Sequence, residues 1–192
     1  MYKFLCGILK LFMMMIFRVE VRGAENIPED GGIIICCNHI SNWDPPLLQA
    51  FTGRRIYFMA KDELFHAFLI GWIFKVLKAI PVKRNGADLA AVKSSIRVIK
   101  DGGVLGIFPT GQREKVKGEG EVKGGLGLLA AKTGCPVVPV HITANYRIFS
   151  KVVMSIGEPK VHSIPEGEKL TVETSEIISN EIYAEVKKLG GV

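Results

Sequence analysis

The sequence predicts an α/β fold, a mixed and mostly parallel sheet flanked by helices, and three observations carry that prediction. Short apolar runs of strand length alternate with helix-length amphipathic stretches along the chain. One run, Ile33-Ile34-Ile35-Cys36-Cys37 after Gly31-Gly32, is apolar throughout and rich in β-branched residues, as a strand buried on both faces must be. The stretches richest in reactive side chains come directly after such runs, where open α/β sheets gather their ligands.

At 192 residues the chain has the length of one domain with a substantial core. Hydrophobic residues make up 48% of it, and its mean hydropathy is +0.25. Both figures are high for an ordinary water-facing surface and point to contact with lipid. The formal charge of +6 is unevenly placed. Arg54 to Lys100 holds ten Lys or Arg against three Asp or Glu, whereas Gly157 to the end holds four against seven. A basic middle in an apolar chain suits an anionic bilayer surface or a phosphate-bearing substrate; a basic solvated face fits the charge alone equally well. No aromatic-rich basic motif of a nucleic-acid reader is present, so nucleic acid is not an expected partner. The four cysteines lack metal-ligand spacing and read as small core residues of a reducing compartment; no metal and no cofactor is expected.

In chain order, Phe4 to Phe17 is apolar apart from Lys10. As a helix it is about 21 Å long, short of the roughly 30 Å hydrocarbon core. With Lys3 and Arg18 at its ends it reads as an amphipathic, membrane-associated helix, peripheral or monotopic on the cytoplasmic face of the cell membrane. Residues 1–18 therefore form that attachment and 19–192 a single domain. Arg18 to Gly23 alternates like a first strand. Asp44-Pro45-Pro46 reads as a helix start with Asp44 as N-cap and Pro45 at the first helical position, the helix running to Phe51. Arg55 to Ala60 is a second core strand. Phe65 to Leu77 is a helix apolar nearly all round, which fits a core helix or a wall against an acyl chain. Ile80 to Arg84 is a strand whose proline belongs near an edge. Asp88 to Lys100 is an amphipathic helix closed by Asp101-Gly102-Gly103, and Val104 to Phe108 a central strand. Glu114 to Lys123 is a charged surface loop whose glycines match no phosphate-binding loop. A small-residue helix from Gly124 to Thr133, strands at Val137 to Ile142 and Lys151 to Gly157, and an amphipathic helix from Thr171 to Leu189 complete the chain.

His39 and Asp44 stand at the end of the buried run. On one helix they would lie roughly 140° apart, too far to pair. On a loop after a strand the carboxylate can reach one imidazole nitrogen and leave the other as a base. Asp44 as a helix cap and His39 as a structural histidine are the plainer readings of the pair alone. The neighbouring thiols Cys36 and Cys37 raise a Cys-His hydrolase as a rival, disfavoured because a buried strand thiol is inert.

Asn38-His39-x4-Asp44, then Phe108-Pro109-Thr110-Gly111-Gln112-Arg113, then Val138-Pro139-Val140, resembles the glycerolipid acyltransferase family over roughly Gly23 to Gly157. The resemblance implies transfer of a fatty acyl group from an acyl thioester, on acyl carrier protein or coenzyme A, to the hydroxyl of lysophosphatidic acid, making phosphatidic acid for phospholipid biosynthesis. It implies His39 as general base, oriented by Asp44. It implies phosphate contacts from Arg84 and Arg113, with Gly111 allowing close backbone approach and offering its N–H. Lys61 and Thr110 become candidate contacts to the oxyanion or the acceptor. One departure stands out: the family's turn reads Phe-Pro-Glu-Gly-Thr-Arg, and Thr110 and Gln112 replace its Glu and Thr. That opens a second reading, an acyltransferase for another lysolipid or an amino-lipid. A reading from another class, a lipid-binding membrane protein without chemistry, is disfavoured by the intact His39–Asp44 pair.

Overall fold

A computed structural model describes residues 2–66, 78–82, 88–113, 121–164 and 167–191. In chain order the elements are α1 (Tyr2–Ile16), β1 (Arg18–Arg22), β2 (Ile33–Cys37), α2 (Asp44–Phe51), β3 (Ile56–Lys61), β4 (Ile80–Val82), α3 (Leu89–Lys100), β5 (Val104–Ile107), α4 (Gly125–Thr133), β6 (Val137–Ala144), β7 (Lys151–Ile156) and α5 (Val172–Leu189). The strands form one seven-stranded sheet in the order β1-β7-β6-β2-β5-β3-β4. Every neighbouring pair is parallel except β6 and β7.

The sheet divides two apolar layers, and β2 shows why its sequence has no polar position. Ile33, Ile35 and Cys37 pack on one face with Met13 and Phe17, at the α1 end of the chain, and with Leu47 and Leu48 of α2. Ile34 and Cys36 pack on the other with α3, α4 and α5, through residues such as Ile99, Leu129, Ile182 and Val186. Alternating side chains on a strand covered from both sides must all be apolar. The adjacent thiols thus enter opposite layers, and none of the four cysteines is in a disulfide. Burial pushes the Cys36 thiol well above its usual range, which leaves it inert as a nucleophile.

α1 packs by its Leu9, Met13 and Ile16 side, at i, i+4 and i+7, against the first layer. Phe4, Ile8, Leu11 and Met15 on the other side are exposed. Tyr2 and Lys10 tie the helix to its neighbours, Tyr2 through Gln49 and the Arg55 guanidinium, Lys10 over the Phe51 ring. No helix among the described residues is long and apolar enough to cross a membrane.

Several boundaries differ from the sequence reading. α2 begins at Asp44 itself, and Trp43 occupies the N-cap position without a side-chain bond. Asp44 is therefore no N-cap, because its carboxylate is turned back onto the loop before it. Asp88 and Thr171, assigned to the first turns of their helices, are instead the caps, accepting from the amides of Ala91 and Thr174. Phe65 and His66 lie in a short 3-10 turn, Asp62–His66. The remainder of the apolar helix, 67–77, lies outside the described residues, as do 83–84 of the fourth strand and most of the charged loop, 114–120. Among the described residues β4 pairs with β3 alone, so Pro81 sits on an edge strand as its missing N–H requires.

Candidate functional site

The site grows from the carboxyl ends of β2, β5 and β6. β2 lies between the other two in parallel register, with Cys36 opposite Ile107 and Cys37 opposite Val140. The loops that leave β2 and β5 therefore emerge side by side. Asn38 fixes the first of them. Its side-chain amide donates to the Ile142 carbonyl at 3.0 Å, and its carbonyl accepts the Ile142 N–H at 2.8 Å. A side chain has taken the place of the next peptide in the ladder, so the main chain can turn away one residue later.

The turn brings His39 and Asp44 together. Asp44 Oδ2 lies 2.8 Å from His39 Nδ1 and accepts the N–H groups of Ile40 and Ser41, each at 2.7 Å. Asp44 is completely buried, whereas 17% of the His39 side chain remains exposed. Those amides can only donate, so Oδ2 is an acceptor and the imidazole proton belongs on Nδ1. In the neutral ring that tautomer leaves Nε2 as the acceptor. On the opposite oxygen the Tyr146 hydroxyl donates to Oδ1 at 2.5 Å. Burial first, and the Asp44 carboxylate second, push the Tyr146 phenol far above its usual range, so it remains a donor.

β5 supplies the wall behind the imidazole. The Phe108 ring stacks on His39 with centroids 4.2 Å apart, and the Phe58 ring lies parallel behind it at 5.8 Å. Gly106 makes the room: a Cβ there would meet the Phe58 ring at 2.6 Å. Beyond Phe108 the chain closes a turn through the Gly111 N–H, which donates to the Phe108 carbonyl at 2.9 Å. The amide that sequence reasoning offered to phosphate is thus spent inside the turn. Gly111 adopts the left-handed φ of 64° that this turn needs. Thr110 is 3% exposed, and its hydroxyl donates to the Gln112 carbonyl at 2.8 Å. Arg113 is exposed just past the turn. Lys61 is the last residue of β3, at the same end of the sheet. Arg84 lies outside the described residues.

The family model described as Acyltransferase matches residues 18–143. The chain belongs to the acyltransferase family. It is 32% identical over 185 residues to the 1-acyl-sn-glycerol-3-phosphate acyltransferase of Bacillus subtilis (strain 168), covering 91% of this chain and 92% of that one. The enzyme of the same name from Streptococcus pneumoniae is 29% identical over 197 residues, 98% of this chain and 72% of that one. The crystal structure of the 1-acyl-sn-glycerophosphate acyltransferase PlsC from Thermotoga maritima superposes with a TM-score of 0.73 at 27% identity, over 100% of this chain and 82% of that one.

Three residues of this acyltransferase's site were not singled out by sequence reasoning. Asn38 was read only as part of its motif, and its grip on Ile142 needs the β2–β6 pairing to be known. Phe108 was read as the end of a strand, although an aromatic residue before a Pro-x-Gly turn is a signal for a wall at a strand end. Tyr146 sits on a loop 102 residues after Asp44, and nothing local marks it.

Proposed function

We propose that this acyltransferase moves a fatty acyl group from an acyl thioester, on acyl carrier protein or coenzyme A, to the free hydroxyl of a 1-acylglycerol phosphate, giving phosphatidic acid. The observation that carries the reading is the oriented imidazole, with Nδ1 held on a buried carboxylate and part of the ring still exposed. The names of the matched relatives support the acceptor.

A thioester is already activated, so the chemistry needs no covalent enzyme intermediate. The acceptor hydroxyl gives its proton to His39 Nε2 as its oxygen forms a bond to the thioester carbonyl carbon. The tetrahedral intermediate then breaks its C–S bond, and the imidazolium proton passes to the leaving thiolate. Base catalysis of this kind contributes roughly 100- to 10,000-fold. Asp44 holds the tautomer and stabilises the imidazolium as it forms. Arg113 and Arg84 would grip the acceptor phosphate in bidentate fashion, and Gly111 would keep the approach free of a side chain. Lys61 would face the oxyanion or the phosphate. Thr110, with its proton committed to Gln112, would shape the turn beneath the acceptor. The exposed apolar side of α1 would rest on an anionic membrane surface at the cytoplasmic face, with the basic segment around it.

The deciding experiment is acyl transfer from a labelled thioester to lysophosphatidate in vesicles, wild type beside His39→Ala. Turnover in the wild type that drops at least about 100-fold in the folded variant is expected. No turnover by folded wild type would overturn the acceptor. The buried Thr110, standing where the family carries a carboxylate, then favours another lysolipid or an amino-lipid acceptor, and a panel of acceptors would identify it.

A further inference from the structure

Tyr146 follows β6 by two residues and adopts a φ of 51°, the left-handed region that a residue with a bulky side chain seldom enters. Such a conformation persists only where the surroundings hold it, and it is found preferentially at functional sites. Here the ring packs edge-on against Phe17 with centroids 5.5 Å apart, and the hydroxyl reaches back to Asp44 Oδ1 at 2.5 Å. The two carboxylate oxygens are held differently. Oδ2 takes the imidazole and two backbone amides of its own loop, whereas among the described residues the donor to Oδ1 is Tyr146, from the β6–β7 connection.

A carboxylate held by one oxygen can still rotate about its Cβ–Cγ bond and carry the imidazole plane with it; a donor on the second oxygen stops that rotation. We propose that Tyr146 is a positioning residue for acyl transfer, its hydroxyl locking the Asp44 carboxylate and through it the plane of His39. The dependence is on the reading of His39 as base, not on the identity of the acceptor. Burial and the neighbouring carboxylate keep the proton on the phenol, so the lock is present across the whole neutral range. The ring contact with Phe17, the residue joining α1 to β1, fixes where that hydroxyl stands.

The test is Tyr146→Phe, which keeps the ring and removes the donor. With the acceptor that the wild type uses, kcat falls about tenfold while both KM values stay within about twofold, the pattern of lost alignment rather than lost binding. In substrate-free protein, the low-field Nδ1–H resonance assigned by its disappearance in His39→Ala shifts or broadens. Val152→Ala, on β7 in the same apolar layer, supplies the control for lost stability and retains both kcat and the resonance. Wild-type kcat in Tyr146→Phe, an unmoved resonance, or an equal loss in Val152→Ala at matched melting temperature would each overturn the proposal. If the wild type transfers nothing to lysophosphatidate, the acceptor reading fails alone, because the resonance is read without substrate and still decides whether Tyr146 is coupled to the dyad.

Discussion

Asp44 accepts from two elements of the chain, the loop after β2, through His39 and the Ile40 and Ser41 amides, and the β6–β7 connection, through Tyr146, with no surface left to water. That arrangement separates the two jobs a first-turn aspartate can do. A cap satisfies its own helix; this one organises the loop that precedes it. The spacing from His39 to Asp44 was readable in the sequence, since five residues exclude pairing on a helix and permit it on a turn. What was not readable is the second oxygen. Its partner is set by a sheet pairing and a left-handed backbone at Tyr146, neither of which leaves a local pattern. The raised Tyr146 phenol has a consequence for stability with a definite sign. Below about pH 10 both folded and unfolded chains keep the proton, and the native contribution is intact. Above it the unfolded chain releases the proton while the native one holds it, so stability falls as pH rises toward the folded value. Tyr2 and Cys36 shift the same way, both chiefly through burial. Urea unfolding between pH 9 and 11 should therefore show stability falling, with a shallower decline in Tyr146→Phe.

β5 shows how one element can be legible as a strand and silent about its purpose. Its run from Val104 to Ile107 is apolar and fully buried, as a central strand must be. Gly106 weakens it as a strand and is explained by Ile56 and Phe58 on the neighbouring β3, whose side chains fill the space. The stack of Phe58, Phe108 and His39 rests on that missing methyl group. Gly106→Ala is expected to destabilise the fold by about 1–3 kcal/mol, the usual cost of overpacking, and to lower kcat by displacing the Phe108 ring. Thermal melts alongside turnover would check it; unchanged values for both would mean Phe58 has another place to go. α1 was equally legible as apolar and equally incomplete. Periodicity gives it a packed side and another apolar side, and only the fold shows which is which.

At the scale of the molecule, the alternation of strands and helices made the fold class readable, whereas strand order was not. β1 pairs with β7, the most distant strand in sequence, and among the seven described strands β6 and β7 join antiparallel. Hydrophobic pattern specifies which faces are buried; it carries no information on which neighbour buries them. Composition spoke more clearly about surroundings. A net charge of +6 together with the exposed Phe4, Leu11 and Met15 predicts two components of vesicle binding. Sedimentation with anionic vesicles should weaken as salt rises from 0.05 to 0.5 M, screening the charges as the Debye length shrinks below roughly 10 Å, yet a fraction should persist. Leu11→Ser with Met15→Ser should remove that salt-resistant fraction; a double variant that binds as wild type would place the contact elsewhere.

The Asn38 amide offers a gauge of the loop that it anchors. Because Ile142 N–H is bonded to a side chain at the root of the His39–Asp44 loop, its deuterium uptake need not wait for β2 and β6 to separate. It should exchange whenever that loop lifts. Amides deeper in β6, such as that of Val140, should exchange only with global unfolding. The ratio of the two rates would report how often the loop carrying His39 opens to water. A bound acceptor that holds the loop shut should slow the first and leave the second unchanged.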